Sequence, residues 1–325
     1  MQAAMQRHRG LAIMALMRLG MGLFTLFAVS LAIFLSIEIL PGDTAEAMLG
    51  QQATPEAIAA IRRELRLDLP PHVRYMQWLV NVLQGDLGNS LVNHQPVADK
   101  IVRRLSNTLL LASITAILAV PMAVGLGLLA ALYRNTWLDR LLSFGALSVG
   151  SFPAFLVAYI LIAVFAVQLR IFPAISQVYA DMSLRQILSA IILPCLTLTC
   201  VMTAHILRLT RAALLNVLSA PYLEMAALKG LTRAWMLVGH ALPNALAPII
   251  TVIMLTLARL LTGVVVIEVI FAYPGLGQLL VDSVSVRDLP VVQACGMIFA
   301  GVYVVLNLSA DILTLLSNPR LRHPK

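Results

Sequence analysis

Charged side chains are scarce in this sequence. Asp, Glu, Lys and Arg make up only 12% of the 325 residues, whereas hydrophobic residues make up 60% and the mean hydropathy is +0.90. A water-soluble protein of this length needs more charged and polar residues to cover its surface. The composition therefore excludes a soluble enzyme or soluble binding module and is typical of a polytopic membrane protein.

Cysteine and histidine are also few, with three Cys and six His. Cys195, Cys200 and Cys295 lie in apolar runs, form no C-x-x-C pair and have no His at metal-ligand spacing. These features exclude a disulfide framework and a zinc site, so we predict that the chain holds no metal. No basic patch with interleaved aromatic residues accompanies the net charge of +8, and nucleic acid is not an expected partner.

The motifs of several enzyme classes are missing. The G-x-x-x-x-G-K-[ST] phosphate loop, the H-E-x-x-H zinc motif and the G-x-S-x-G hydrolase motif do not occur. Gly145–Pro153 has the wrong spacing for a nucleophile elbow, and its Gly, Ser and Pro residues instead predict an irregular helix. We predict that the chain has no catalytic residue, binds no cofactor and is not an enzyme. An intramembrane enzyme, the weaker alternative, would need a nucleophile paired with a base.

What the sequence does contain is a series of long apolar runs. Each approaches the roughly 20 residues with which an α-helix crosses a bilayer. A membrane β-barrel would instead show alternating segments of roughly ten residues. We therefore predict an all-α, polytopic membrane protein with six transmembrane helices, at Leu19–Leu40, Thr108–Leu132, Leu141–Val167, Ile187–Leu207, Ala241–Ile270 and Val291–Leu316.

Lys and Arg are distributed unevenly between these spans. They outnumber the acids at both termini and in the loops after the second and fourth spans, whereas Pro41–Arg104 mixes both signs. The positive-inside rule then places both termini in the cytoplasm. Ala45-Glu46-Ala47 resembles a signal-peptide processing site, but the first apolar run exceeds the roughly 7 to 15 residues of a signal peptide. We expect the first span to be retained.

These assignments divide the chain into four parts. Residues 1–40 are the cytoplasmic N-terminus and first span, and 41–106 are an external segment. Residues 107–317 form a five-helix core with a cytoplasmic loop at 208–240, and 318–325 are a cytoplasmic tail. The external segment has helical signals of its own: Thr54 and Pro55 predict one helix start, and a second helix carries Tyr75 and Trp78 on one stripe.

The loop after the fourth span carries the start and stop signals of a short helix. Ser219 is predicted to cap a helix whose first turns contain Pro221 and Glu224. Gly230 is predicted to end that helix in the left-handed conformation, and Thr232 to cap the next one. The short helix would offer a small apolar docking surface formed by Leu223, Ala226 and Ala227.

Polar residues inside the spans are candidates for a solute pathway. Arg259 lies deep in the fifth span, and Asn307 and Asp311 share a face of the sixth. We predict that Arg259 faces a cavity and favours solutes that carry a carboxylate. Interhelical hydrogen bonding is the alternative for these residues, and also for Glu268, Thr197, Thr199 and Thr203.

The loop resembles that of a known family, the permease subunits of ABC importers. Their E-A-A-x-x-x-G-x9-I-x-L-P pattern is matched by Glu224, Ala226, Gly230, Leu242 and Pro243. The resemblance implies that these residues, together with Ala227, couple the chain to an ATPase. Met225 and His240 depart from the pattern, because Ala and Ile are usual at those positions.

Further motifs resemble the dipeptide, oligopeptide and nickel branch of the same family. They extend from the first span to the C-terminal tail, so the resemblance covers essentially the whole chain. The motifs are Ile39-Leu40-Pro41-Gly42-Asp43, Gly85-Asp86-Leu87-Gly88-Asn89-Ser90, Phe271-Ala272-Tyr273-Pro274-Gly275-Leu276-Gly277, Arg287-Asp288-Leu289-Pro290-Val291-Val292-Gln293 and Asn318-Pro319-Arg320.

The resemblance implies a division of labour in a bacterial inner membrane. A second, homologous permease subunit would complete the pathway, two ABC ATPase subunits would hydrolyse ATP with Mg, and an external binding protein would deliver the solute. Peptides are the expected solutes, with nickel or metal-chelator complexes, glutathione and opines as alternatives. A secondary transporter, the other functional alternative, would show inverted repeats and broken helix pairs, which are not evident here.

Overall fold

The computed structural model describes residues 2–39, 54–64, 68–179 and 182–317. Within these ranges the chain is helical apart from turns, loops and one isolated bridge between Asn89 and Pro96, so the predicted all-α class is confirmed. The helices are α1 (Gln2–Glu38), α2 (Pro55–Glu64), α3 (Pro71–Leu83), α4 (Val97–Leu132), α5 (Trp137–Ser151), α6 (Ala154–Leu161), α7 (Leu184–Leu218), α8 (Pro221–Leu228), α9 (Leu242–Ile270), α10 (Leu276–Ser285) and α11 (Leu289–Ser317).

Five of the six predicted spans are single helices in the structure. Their apolar parts are long enough to cross a membrane. Several helices extend beyond the predicted ends: α4 begins eleven residues before Thr108, and α7 continues past Leu207 to Leu218. The membrane-crossing stretches are Leu16–Ser36, Val97–Leu132, Leu184–Leu218, Leu289–Thr314 and Arg233–Ile270. The last of these includes a short helix, Arg233–Trp235, and a π-helical turn, Met236–Ala241, before α9.

The third predicted span, Leu141–Val167, is not one straight helix. It consists of α5 and of α6 with its π-helical continuation Ile162–Gln168, and the two parts are bent by 105°. The break lies at Phe152 and Pro153, where both residues have extended ψ angles. Proline has no N–H to continue the helical ladder, and it disfavours the helical conformation of the residue before it. The irregularity predicted for Gly145–Pro153 is therefore a sharp bend.

The bent third span nevertheless connects the two ends of the helix bundle. Near its start, Asp139 binds Arg211, close to the end of α7. After its end, the backbone N–H of Ser176 donates to the carbonyl of Phe271, just beyond α9, at 2.7 Å. Counted in this way, the described residues cross the bundle six times. Helix α8 packs beside Ala131 near the end of α4, whereas α3 precedes the start of α4, so the two lie at opposite ends of the bundle.

Helices α4, α7 and α9 form the centre of the bundle. Leu111, Ile206 and Val264 belong to one buried cluster contributed by these helices. A Cβ at Gly127 of α4 would lie only 2.9 Å from the side chain of Thr210 on α7, so the absence of a side chain allows the two backbones to approach closely. Small residues commonly permit such packing between transmembrane helices.

An ion pair joins α5 to α7. The guanidinium of Arg211 donates to both oxygens of Asp139, at 2.6 and 2.8 Å. Asp139 also accepts hydrogen bonds from the N–H of Asn135 and the hydroxyl of Ser143. The Asp139 residue is only 3% exposed, so its carboxylate depends on these donors rather than on water.

We expect Asp139→Ala to destabilise the protein by about 3 kcal/mol, because it leaves the Arg211 guanidinium without its buried acceptor. Unfolding of the detergent-solubilised protein, followed by circular dichroism, measures this loss. Asp282→Ala is the matched control, since Asp282 is exposed and has no ion pair among the described residues. Equal stability of the two variants would contradict a structural role for Asp139.

Helix α3, which precedes α4, packs against the first span. Tyr75 of α3 makes an edge contact with Phe34 at 5.3 Å, and its hydroxyl lies 2.8 Å from that of Ser30. Arg74 pairs with Glu38 at 2.6 Å. Tyr75 is buried and Trp78 half-buried, so the predicted apolar stripe is the face that α3 turns inward. Most of the Ile39–Asp43 motif and all of Asn318–Arg320 lie outside the described residues.

Two of the other family-like motifs meet at the same end of the bundle. The Ser90 hydroxyl and the Leu91 N–H both donate to the carboxylate of Asp288. Within the first motif, the N–H of Gly88 also donates to Asp86 at 2.9 Å. The motifs Gly85–Ser90 and Arg287–Gln293 therefore form one structural joint, although almost 200 residues separate them in the sequence.

Candidate functional site

The predicted short helix of the loop is α8, but Ser219 does not cap it. Ser219 instead ends α7, and its hydroxyl donates to the carbonyl of Asn216 at 2.8 Å. Ala220 is the N-cap residue of α8 and Pro221 its first residue. The Ser219 prediction was wrong because α7 continues about three turns beyond the predicted span, so Ser219 lies at the end of that helix.

Gly230 ends α8, as predicted. Its φ angle is +85°, and its N–H donates to the carbonyl of Ala227 at 2.9 Å. The N–H of Leu231 reaches back to the carbonyl of Ala226 at 3.2 Å. This pair of bonds is a Schellman motif, in which the left-handed residue satisfies the last carbonyls of the helix. Thr232 then accepts a hydrogen bond from the N–H of Trp235, as predicted.

The apolar face of α8 points inward, contrary to the predicted docking surface. Leu223 is only 2% exposed and packs in a buried cluster with Leu214 and Leu237. Ala226 is half-buried against the same cluster. Of the three residues predicted to form the docking surface, only Ala227 is exposed. The outward large apolar side chains are Tyr222, Met225 and Leu228, which are 50%, 57% and 78% exposed.

The remaining predicted coupling residues lie beside α8. Glu224 is exposed in its first turn. Leu242 is half-buried and Pro243 exposed at the start of α9. Asn244 connects the two helices, because its amide nitrogen lies 3.3 Å from the Tyr222 hydroxyl and 2.7 Å from the carbonyl of His240. The Tyr222 contact therefore joins α8 to the start of α9.

A second feature is a cavity of about 200 Å³ beside the bend of the third span. Gly150 and Ala154 line it from either side of the bend. Its basic side chains are His205 and Arg208 of α7 and Arg259 of α9. The other lining residues are mainly apolar, and include Leu198, Val201, Met202 and Leu260.

The structure does not bring the three predicted pathway residues together. Arg259 lines the cavity, with its Nη1 atom 3.5 Å from Nε2 of His205. Asp311 instead pairs with Arg18 of α1 at 2.7 Å, and Asn307 donates to the carbonyl of Tyr303 in its own helix. His205 and Arg208 were not predicted as pathway residues, although their spacing of three residues, across the predicted end of the fourth span, places both on one helix face.

Glu268, considered above for the pathway, is fully buried in a joint at the other end of α9. Its carboxylate accepts hydrogen bonds from the Thr108 hydroxyl at 2.6 Å and from the N–H groups of Gly277 and Gln278 at 2.7 and 3.2 Å. The N-terminus of α10 thus provides the donors for a buried acid, which is a favourable place for negative charge. Glu268 therefore makes hydrogen bonds between helices, which was the alternative to a place in the solute pathway.

The Phe271–Gly277 motif surrounds this carboxylate. Tyr273 is fully buried and donates from its hydroxyl to the carbonyl of Asn107 at 2.8 Å, while Asn107 donates to the carbonyl of Pro274. Burial raises the pKa of the Tyr273 phenol, which keeps the hydroxyl as a donor. A Cβ at Gly275 would overlap the carboxylate of Glu268. The motif therefore serves to enclose the buried Glu268 carboxylate and to join α4 to the segment between α9 and α10.

Among the residues that the structure describes, no group of three or more His, Cys, Asp or Glu is placed to hold a metal ion. Cys195, Cys200 and Cys295 are all free. Thr197 bonds to the carbonyl of Leu193 within its own helix.

Comparison with known proteins identifies the family. The model described as "Binding-protein-dependent transport system inner membrane component" matches residues 123–323, and a model of the N-terminal part of such membrane components matches residues 13–112. The chain is 40% identical over 299 residues to the glutathione transport system permease protein GsiC of Escherichia coli K12, covering 92% of this chain and 95% of that protein. GsiC of Shigella boydii serotype 4 matches with the same identity and coverage.

The fold is also similar to a solved transporter structure. A chain of the methionine ABC transporter MetNI, in an inward-facing conformation, aligns with a TM-score of 0.53 and 19% identity, covering 67% of this chain and 96% of that one. This likeness concerns the fold alone. Together with the family models and the GsiC relatives, it shows that the chain belongs to the binding-protein-dependent transport system inner membrane components, as an ABC importer permease of the peptide and nickel transport family.

Proposed function

We propose that this chain forms half of a solute pathway, with a second homologous permease as the other half, and that α8 docks on an ABC ATPase subunit. An external binding protein would deliver the solute, and two ATPase subunits would hydrolyse ATP with Mg, so this chain itself binds no cofactor. The outward apolar triad on α8, formed by Tyr222, Met225 and Leu228, carries the docking proposal.

The proposed orientation places α8 and both termini in the cytoplasm of a bacterium. Lys229 and Arg233 flank the loop at this end of the bundle, as expected from the positive-inside rule. Six crossings would bring the N-terminus, α8 and the C-terminal end of α11 to the same side. An apolar triad at a water-exposed helix end is costly unless another protein covers it, which supports docking.

Coupling would proceed as a rigid-body movement. Leu223 anchors α8 in the buried cluster, and Asn244 joins it to the base of α9. A displacement of α8 by an ATPase would therefore move α9, the helix that carries Arg259 into the cavity. Packed helices transmit such displacements as units because their interfaces do not deform continuously.

Leu228→Asp is expected to abolish copurification of the ATPase subunits, because it places a charge in the centre of the proposed contact. Affinity purification of the membrane complex, with quantification of the ATPase bands, measures the effect. Leu83→Asp is the control: Leu83 is 79% exposed, like Leu228 at 78%, but lies at the opposite end of the bundle. Undiminished copurification with Leu228→Asp would defeat the docking proposal.

Peptides are the proposed solutes. The GsiC relatives, named as permeases of glutathione transport, support small peptides including glutathione over nickel or metal-chelator complexes and opines. We further propose Arg259 as a residue of the pathway, because it is charged, exposed and lines the cavity. Asn307 and Asp311 do not line this cavity, and for them we propose interhelical roles.

A further inference from the structure

We propose that the cavity beside the bent third span is a transit site for an anionic solute end, in which Arg208 and Arg259 together bind a carboxylate. The inference rests on the proposed transport function and extends it from one arginine to a site built by two helices. It also assigns His205 a positioning role beside Arg259.

The charge balance of the site calls for an anion. Its three basic side chains come from α7 and α9, and none of its lining residues is acidic. The nearby carboxylates are already engaged: Asp139 by Arg211, and Glu268 by Thr108 and the N-terminus of α10. In the described part of the chain, neither Arg208 nor Arg259 has an acid within ion-pair distance.

The position of Arg259 within its helix supports an anion site. Arg259 lies well inside both ends of α9, and Arg208 faces the same cavity from α7, one residue beyond the predicted end of the fourth span. A basic residue in the position of Arg259 is costly and usually faces a water-filled cavity or a partner group. Both arginines are exposed and contribute to the same lining, so their guanidinium groups are accessible to a solute.

His205 lies beside the first of these groups. Nη1 of Arg259 is 3.5 Å from Nε2 of His205, so the imidazole lies along one edge of the guanidinium. The other N–H donors of Arg259 remain available. His205 and Arg208 are three residues apart, so they share the face of α7 that points to the cavity.

The shape of the site limits what it can hold. At about 200 Å³ it is smaller than the roughly 300 to 1,000 Å³ of pockets that enclose a whole ligand. The rest of its wall is mainly apolar and includes Leu198, Met202 and Leu260. A carboxylate with one adjoining residue fits this combination, as at the C-terminal end of a small peptide.

Binding of peptides to the intact transporter tests the proposal. The permease pair with its ATPases is reconstituted in nanodiscs without the binding protein, and a panel of labelled di- and tripeptides that includes glutathione is compared with carboxyl-blocked twins. We expect the best free acids to bind at least about tenfold more tightly than their blocked twins, since hydrogen bonds to charged groups are the strong ones. If no free acid of the panel exceeds its twin, the proposal is overturned.

Substitution of the arginines assigns the effect to this site. Arg208→Gln and Arg259→Gln should each remove most of the preference for the free acid and leave the affinity of the blocked twins unchanged. Arg185→Gln, on the same helix as Arg208 but outside the cavity, should change neither. An equal loss with Arg185→Gln would overturn the proposal. If Arg208→Gln and Arg259→Gln instead lost bound phosphatidylglycerol and kept their peptide binding, the cavity would be a lipid site and the proposal would also be overturned. Copurification of the ATPases, measured in parallel, reports separately on the docking proposal.

A matched pair of glycines tests the cavity itself. A Cβ at Gly150 or at Gly145 meets nothing within 4 Å, but only Gly150 lines the cavity. Gly150→Leu should therefore lower peptide affinity at least about tenfold by filling the site, whereas Gly145→Leu should not. Unchanged affinity of Gly150→Leu, or an equal loss in both variants, would show that the solute binds elsewhere.

Discussion

Solute uptake by a Gly230→Pro variant is expected to fall to background, while the protein still inserts into the membrane. Proline holds φ near −65°, whereas Gly230 has φ of +85°. Proline also removes the N–H that donates to Ala227. The end of α8 and the entry to α9 would be rebuilt, which misplaces the outward triad Tyr222, Met225 and Leu228. The buried helix contacts do not include Gly230, so insertion should survive.

ATP-driven uptake into proteoliposomes, together with quantification of the inserted chain, measures the result. Gly230→Asn is the control, because Asn tolerates the left-handed conformation and keeps the N–H. We expect it to retain most of the transport. Full transport by Gly230→Pro would contradict the coupling role of α8. Failure of the variant to insert would show that this turn is needed for folding instead.

Gly275→Ala should be among the most destabilising substitutions of a single methyl group in this chain. The new Cβ would occupy the position of the Glu268 carboxylate. Glu268 would be displaced from Thr108 and from the N–H groups of Gly277 and Gln278, leaving a buried acid without donors. A loss of about 3 kcal/mol follows from the cost of leaving a buried acid without its hydrogen-bond donors.

Thermal unfolding in detergent and the yield of inserted protein check this prediction. Gly125→Ala is the matched control, since a Cβ at Gly125 in α4 meets nothing within 4 Å and Ala favours a helix over Gly. It should be neutral or slightly stabilising. If Gly275→Ala unfolded at the same temperature as Gly125→Ala, the Glu268 joint would not support the fold.

The two glycines illustrate different relations between sequence and structure. The left-handed helix stop at Gly230 was predicted correctly, because such a stop depends on a few neighbouring residues and the sequence shows them all. The role of Gly275 could not be derived in this way. Its constraint comes from Glu268, whose side chain approaches it only after α9 and α10 have packed together.

Asp311 and Glu268 also show which features a local sequence pattern can predict and which depend on helix packing. Asp311 and Glu268 are both polar residues of spans, and the sequence offered them equally as pathway or interhelical groups. Their partners, Arg18 for Asp311 and Thr108 with the α10 N-terminus for Glu268, lie 293 and 160 residues away for the side-chain contacts. Pairings over such separations are decided by helix packing, which no local pattern encodes.

By itself, the sequence determined the membrane class, the approximate positions of the spans, the end of α8 at Gly230 and the start of the next helix at Thr232. Span length follows from bilayer thickness, and caps and turns follow from backbone geometry, so both are local properties. Only the tertiary structure decided the 105° angle of the bend at Pro153, the inward turn of Leu223 and the meeting of Arg208 with Arg259 around one cavity. Each of these depends on which helices become neighbours, since apolar faces and charges find their partners only in the packed bundle.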